Sequence, residues 1–278
     1  MRWITARRRR PLFGYAAVLL ALVAIGSLYA AVTGLGSGGN ASASSGSSSS
    51  QISEGKDLFA VSCASCHGEY AQGNSGVAPS LVGAGAAAVD FQVGTGRMPL
   101  KENDAEAPRK PPVFTQSQIY ALAAYVASLG GGPAIPSSQE VSTAGASTAL
   151  GQSLFNANCA QCHNYAGAGG ALTEGKYAPP LTQATNRQIY EAMLTGPEAM
   201  PVFNNTTVTP QAKRDIIAYV TQTRAEANPG GFSLGRIGPT TEGLVAWLGG
   251  IAALILAAMW ITAKRRDDVR TGEISDNQ

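Results

Sequence analysis

All four cysteines and both histidines of this 278-residue chain fall in two copies of one pentapeptide, CASCH at Cys63 to His67 and CAQCH at Cys159 to His163. A chain that confines its thiols and imidazoles in this way must fold around whatever those groups hold. A thioredoxin-like redox pair belongs in a βαβ pattern, and none surrounds either motif. One zinc site with four thiolates would require the two motifs to meet across the whole intervening segment and would leave each adjacent His without a role. Inert core cysteines would not recur in this register. Covalent c-type haem attachment at C-x-x-C-H uses every named residue. Two thiols about one helical turn apart can each add to a haem vinyl group, and the next residue's imidazole reaches the iron from the proximal side. Cys63 and Cys66 with His67, and Cys159 and Cys162 with His163, are therefore the candidate attachment sites and axial ligands of two covalently bound haem c groups.

The motifs sit inside a longer repeat. GKDLFAVSCASCHG at Gly55 matches GQSLFNANCAQCHN at Gly151, APSL at Ala78 matches APPL at Ala178, and GTGRMP at Gly94 matches GPEAMP at Gly196. ALAAYVASL at Ala121 resembles DIIAYVTQT at Asp215, so four blocks recur in one order. With both histidines assigned, a thioether is the natural sixth ligand. Met98 has no competitor in the first repeat, and in the second the G-x-x-x-M-P register selects Met200. Met193 aligns with Phe91 and reads as a core residue on a short helix. The alternative is that these methionines are gap-fillers of an apolar core. A ligating imidazole commonly donates its other N–H to a backbone carbonyl. Pro79 and Pro179 stand in rigid loops suited to supply one, unless they are ordinary turn prolines.

On these residues each repeat resembles a class I cytochrome c domain, and the resemblance implies that the carbonyls of Pro79 and Pro179 accept that hydrogen bond. It further implies close crossings of the N-terminal and C-terminal helices at Gly55 with Tyr125 and at Gly151 with Tyr219. Apolar spacing places the former helices around Gly55 to Phe59 and Gly151 to Phe155, and the latter over Gln118 to Leu129 and Gln211 to Thr223. Cores this small and rich in Ala and Gly are marginal alone, so the chain without haem is expected to be largely unfolded.

The composition, 45% hydrophobic and only 14% charged, is explained by two uncharged runs, Leu12 to Val32 and Gly243 to Ala263. Each is about 21 residues and, at about 1.5 Å per residue, spans roughly the 30 Å of a bilayer core. Arg2 and Arg7 to Arg10 precede the first run, while Lys264, Arg265 and Arg266 follow the second. Basic flanks stay inside. The expectation is a two-pass protein of the cell membrane, in contact with lipid, with both termini cytoplasmic and the haem domains extracytoplasmic. A cleaved signal peptide is the rival reading of the first run and leaves the middle on the same side.

The expected order is a cytoplasmic N-terminus (1–11), a membrane helix (12–33), a Ser/Gly linker (34–52) and a first haem domain (53–132). A linker (133–147), a second haem domain (148–228), a linker (229–242), a membrane helix (243–263) and a cytoplasmic tail (264–278) follow. The fold class is all-α, with two tandem class I cytochrome c domains between two transmembrane helices. Lys101 to Pro112, KENDAEAPRKPP, is inserted in the first repeat only. It reads as a solvated loop by default and as a docking surface beside the first haem on the sharper reading. Acidic residues slightly outnumber basic ones between the two spans, which excludes nucleic acid as a partner.

Taken whole, the chain resembles the dihaem cytochrome c subunit of the actinobacterial-type cytochrome bcc complex, a menaquinol-cytochrome c reductase. The resemblance implies an electron relay in which a Rieske iron-sulfur protein reduces the first haem, the second haem follows, and an aa-type oxidase accepts. It implies a cytochrome b subunit as a further partner. Fused, anchored domains cannot diffuse as a soluble cytochrome does, and iron closed by His and Met has no open position for substrate. The chain therefore reads as an electron-transfer subunit of an enzyme complex without a catalytic site of its own. The competing readings are a stand-alone membrane-anchored dihaem cytochrome and a dihaem peroxidase-like enzyme, which needs one exchangeable ligand.

Overall fold

The structure, a computed structural model, describes residues 15, 18–27, 48–102, 106–226, 234–236 and 239–275. It divides into two units, residues 1–48 and 49–278. In the first, helix α1 (Val18–Ser27) is apolar, and the remainder of the expected span from Leu12 to Val32 lies almost wholly outside the described residues.

The second unit holds the two repeats. The first consists of α2 (Ser49–Ser62), a single turn α3 (Ala64–His67), α4 (Ala86–Gly94) and α5 (Gln116–Ser128). The second consists of α6 (Thr148–Asn158), the turn α7 (Ala160–His163), α8 (Asn186–Thr195) and α9 (Pro210–Ala225). Helix α2 begins within the stretch expected to be tether. Helix α10 (Pro239–Ser275) carries an apolar span at Thr241–Ala263 with no part buried, and it continues through most of the expected tail.

Local chemistry sets the helix starts. Thr115 and Gln118 form a capping box at α5, and Thr185 and Gln188 form another at α8. Thr209 caps α9 through the Ala212 N–H, with Pro210 in the first turn where no amide partner is needed. Gly196 ends α8 in the left-handed conformation.

In each repeat the first and last helices cross at a glycine. A Cβ on Gly55 would lie 2.0 Å from the Ala121 carbonyl oxygen and 2.9 Å from Tyr125 Cβ. On Gly151 it would lie 1.9 Å from the Asp215 carbonyl oxygen. Asp215 aligns with Ala121, so both crossings meet the backbone one turn before the matched Tyr. Tyr219 packs on Phe155 with ring centroids 5.3 Å apart, as Tyr125 packs on Phe59 at 5.3 Å.

The repeats also pack on each other through α4 and α8. Asp90 on α4 and Glu191 on α8 are 7% and 1% exposed. Arg187 stands 3.8 Å from Asp90 and donates to the Tyr120 hydroxyl at 2.8 Å. Burial, then the nearby Asp90 carboxylate, pushes the Glu191 carboxyl far above its ordinary value, so it is protonated at neutral pH and hydrogen-bonds to Asp90. The linker between the repeats is stitched to both. Ile135 packs on the first core and Val141 on the second, while Pro133 accepts from the Ala87 N–H at 3.0 Å and Ser142 accepts from Arg214 at 2.9 Å.

Candidate haem-binding sites

Each C-x-x-C-H segment forms one helical turn whose first Cys is its N-cap, so the second Cys and the His follow in a fixed sense. His67 Nδ1 is 2.8 Å from the Pro79 carbonyl oxygen, and His163 Nδ1 is 3.0 Å from that of Pro179. A carbonyl only accepts, so Nδ1 carries the proton and Nε2 keeps its lone pair. That is the tautomer a metal-binding imidazole needs. Burial holds His163 below the ordinary imidazole value, partly offset by the Pro179 hydrogen bond.

The thiols are not disulfide-linked. Cys63 and Cys159 are pushed up to about 11, by burial first and by the neighbouring Cys66 or Cys162 second.

In the second repeat Cys159, Cys162, His163, Pro179, Met193 and Met200 line one cleft that opens to solvent. Met193 is 3% exposed within the core of α8, whereas Met200 is half-buried in the loop after Gly196. In the first repeat Cys63, Leu81 and Met98 pack against a common core containing Phe59 and Tyr125. The Met98 N–H donates to Gln92 at 3.0 Å and the Met200 N–H to Pro197 at 3.0 Å.

Sequence reasoning missed the wall of the second cleft. Arg97, Glu106, Ala107 and Arg109 of the first repeat line it. Glu106 accepts from the Tyr177 N–H at 3.1 Å, Arg109 donates to Gln188 at 3.2 Å, and Ala107 is buried. The insertion between Lys101 and Pro112 is thus neither a merely solvated loop nor a surface reserved for the first site. Its described part is an internal bridge to the second repeat. Its presence in one copy only, directly after the aligned Met, was the available signal.

The family model described as cytochrome C oxidase, cbb3-type, subunit III matches residues 50–126 and 146–220, once per repeat. A cytochrome bc1 complex cytochrome c subunit from Mycobacterium bovis is 46% identical over 263 residues, covering 93% of each chain. The subunit of that name from Corynebacterium diphtheriae is 43% identical, covering 94% of this chain and 98% of its own length. The chain belongs to the cytochrome bc1 complex cytochrome c subunit family. Among solved structures, a chain of a reducing HAO-like protein complex from Kuenenia stuttgartiensis matches with 14% identity and a TM-score of 0.32, covering 61% of this chain and 95% of that one.

The residues present suit the haem that a cytochrome c subunit carries. Two thiols and an imidazole of the correct tautomer share one cleft with a thioether. Arg97 also lines this cleft, and its buried Nη1 has no hydrogen-bond partner. The first repeat presents the same donor set with the shorter imidazole–carbonyl bond.

Proposed function

We propose that the chain is the dihaem electron-transfer subunit of a membrane-bound quinol-cytochrome c reductase complex. It takes electrons from a Rieske iron-sulfur protein and passes them through its first and then its second domain to an aa-type oxidase. Cys63 and Cys66, and Cys159 and Cys162, would hold two covalent haem c groups, with His67 and Met98, and His163 and Met200, as the residues that would bind the irons. When bound, the haem supplies one-electron iron chemistry at a potential raised by His/Met ligation.

The protein's own part is positional. Pro79 and Pro179 orient the imidazoles, Met98 and Met200 would complete the donor set and keep substrate out, and the α4–α8 contact holds the two sites in one body. The observation that carries this reading is the duplicated imidazole–Pro carbonyl bond beside a half-buried and an exposed thiol, in a chain of this family.

Helix α10 and the run from Leu12 to Val32 serve as two membrane spans, with both termini cytoplasmic and the haem domains outside. Trp247 and Trp260, both exposed, suit the two membrane interfaces. Cβ atoms on Gly249 and Gly250 would meet nothing within 4 Å, which leaves a small-residue face for a cytochrome b helix.

Mild-detergent purification with haem staining and identification of copurifying chains tests this. Cytochrome b, Rieske and oxidase subunits are expected, and Gly249→Leu with Gly250→Leu should reduce their recovery. A lone dihaem chain would establish the stand-alone cytochrome instead.

A further inference from the structure

Arg97 immediately precedes Met98 of the first repeat, yet it lines the same cleft of the second repeat that Cys159, Cys162 and His163 line. It is 8% exposed, its guanidinium carbon lies 5.0 Å from the Phe91 ring centroid, and its Nη1 has no hydrogen-bond partner. Two carboxylates share the lining and attract the guanidinium from a distance, and neither is paired with it. Glu106 accepts from the Tyr177 N–H, and among the described residues neither Glu106 nor Glu198 forms an ion pair with Arg97.

A buried, unpaired guanidinium is unfavourable unless an anion of matching geometry arrives with the ligand, and a planar fork suits a carboxylate best. Haem carries two propionate carboxylates. We propose that Arg97 of the first domain binds a propionate of the haem held by the second domain, so that one domain completes its neighbour's cofactor site. This rests on the haem assignment at Cys159, Cys162 and His163. The contact runs one way, because the position aligned with Arg97 in the second repeat is Ala199. Arg109 lines the same cleft, but it is exposed and already donates to Gln188, which makes it the comparator.

A positive charge at a propionate favours the reduced haem, and its loss leaves an unpaired carboxylate near the iron. Redox titration of the detergent-solubilised full chain, followed by haem absorbance, gives two waves, assigned by which of them Met98→His or Met200→His displaces. Arg97→Gln is expected to lower the second-domain reduction constant about tenfold, about 59 mV for one electron. The first-domain wave should move less, Arg97→Lys should give a smaller shift of the same sign, and Arg109→Gln less again.

An unmoved second wave, a larger movement of the first, or an equal effect of Arg109→Gln overturns the proposal. If Arg97→Gln does not accumulate, Arg97→Lys decides: it must lower the second wave and alter the propionate modes in resonance Raman spectra, and no change in both overturns the assignment. Haem counting on the unsubstituted chain separates the two failures. Fewer than two haems defeats the underlying reading, whereas two haems with an unmoved second wave defeats only the role of Arg97.

Discussion

Gly55 beneath the Ala121 carbonyl and Phe59 against Tyr125 in the first repeat have near-superimposable counterparts in the second, Gly151 beneath Asp215 and Phe155 against Tyr219. The loops depart from this symmetry. The second repeat inserts a short hairpin, β1 (Gly170–Ala171) paired with β2 (Tyr177–Ala178), where the first has only the bridge Asn74 to Ala78. The first inserts the segment from Lys101 to Pro112, which meets that hairpin through Glu106 and Tyr177. The last helices differ too. Lys213 is wholly buried on α9 where α5 carries Ile119 in the same register. The two copies thus share the groups proposed to hold haem, while their loops differ and join the copies.

The largest expected effect breaks the symmetry outright. Cys63→Ser with Cys66→Ser should abolish attachment in the first domain and unfold it, and the second cleft should then lose its wall and its proteolytic protection. Cys159→Ser with Cys162→Ser should unfold the second domain and leave the first resistant. Haem staining with limited proteolysis distinguishes the two, and damage confined to the first domain in the Cys63/Cys66 variant would show that the bridging loop does not couple the domains. A compact, protease-resistant chain lacking all four thiols would contradict the view that haem is the core.

The glycine crossings come next. Gly55→Ala and Gly151→Ala each place a Cβ about 2 Å from a carbonyl oxygen, so each should cost about 3 kcal/mol in urea denaturation followed by haem absorbance. A small loss at Gly151 alone would mean that the second crossing is the looser one.

Axial exchange sharpens the comparison at the iron. Met98→His and Met200→His should each keep the haem attached and lower one potential, because imidazole donates more strongly than thioether; about 59 mV accompanies each tenfold change. Met193→Leu should move neither wave. A shift from Met193→Leu without one from Met200→Leu would transfer the ligand role to Met193, which lines the same cleft.

Buried charges of the second repeat give a smaller, pH-dependent difference. Burial pushes Lys213 down to about 8. Between about 8 and its ordinary value near 10.5 the unfolded chain binds a proton that the folded chain has released, so stability should rise with pH across that window. Lys213→Met should remove the rise in denaturation curves, and Ile119→Met in the first repeat should leave it intact. Glu191 acts oppositely, since its raised value makes the folded chain the better proton binder, and its contribution fades as pH climbs from the ordinary carboxyl range toward the raised one. Glu191→Gln should flatten that decline while changing stability near neutral pH by only about 1 kcal/mol.

Much of the site was legible because covalent attachment fixes spacing. C-x-x-C-H can be read from residue order alone, and its repetition with A-P-x-L and G-x-x-x-M-P located the carbonyls that the imidazoles meet. The helices were legible from apolar spacing, and the structure adds their true starts, at capping residues such as Thr115 and Thr209. The apolar span at Thr241–Ala263 was legible from composition.

What sequence order could not supply was the relation between the copies. Nothing in residue order marks Arg97 or Glu106 as facing the second repeat, or Asp90 and Glu191 as two acids buried together. Only the packing of α4 on α8 buries the acids, raises Glu191 and turns Arg97 into the second cleft. The physical reason is that attachment chemistry is local along the chain, whereas desolvation depends on which distant surface covers a residue, and that is decided only when the two repeats meet.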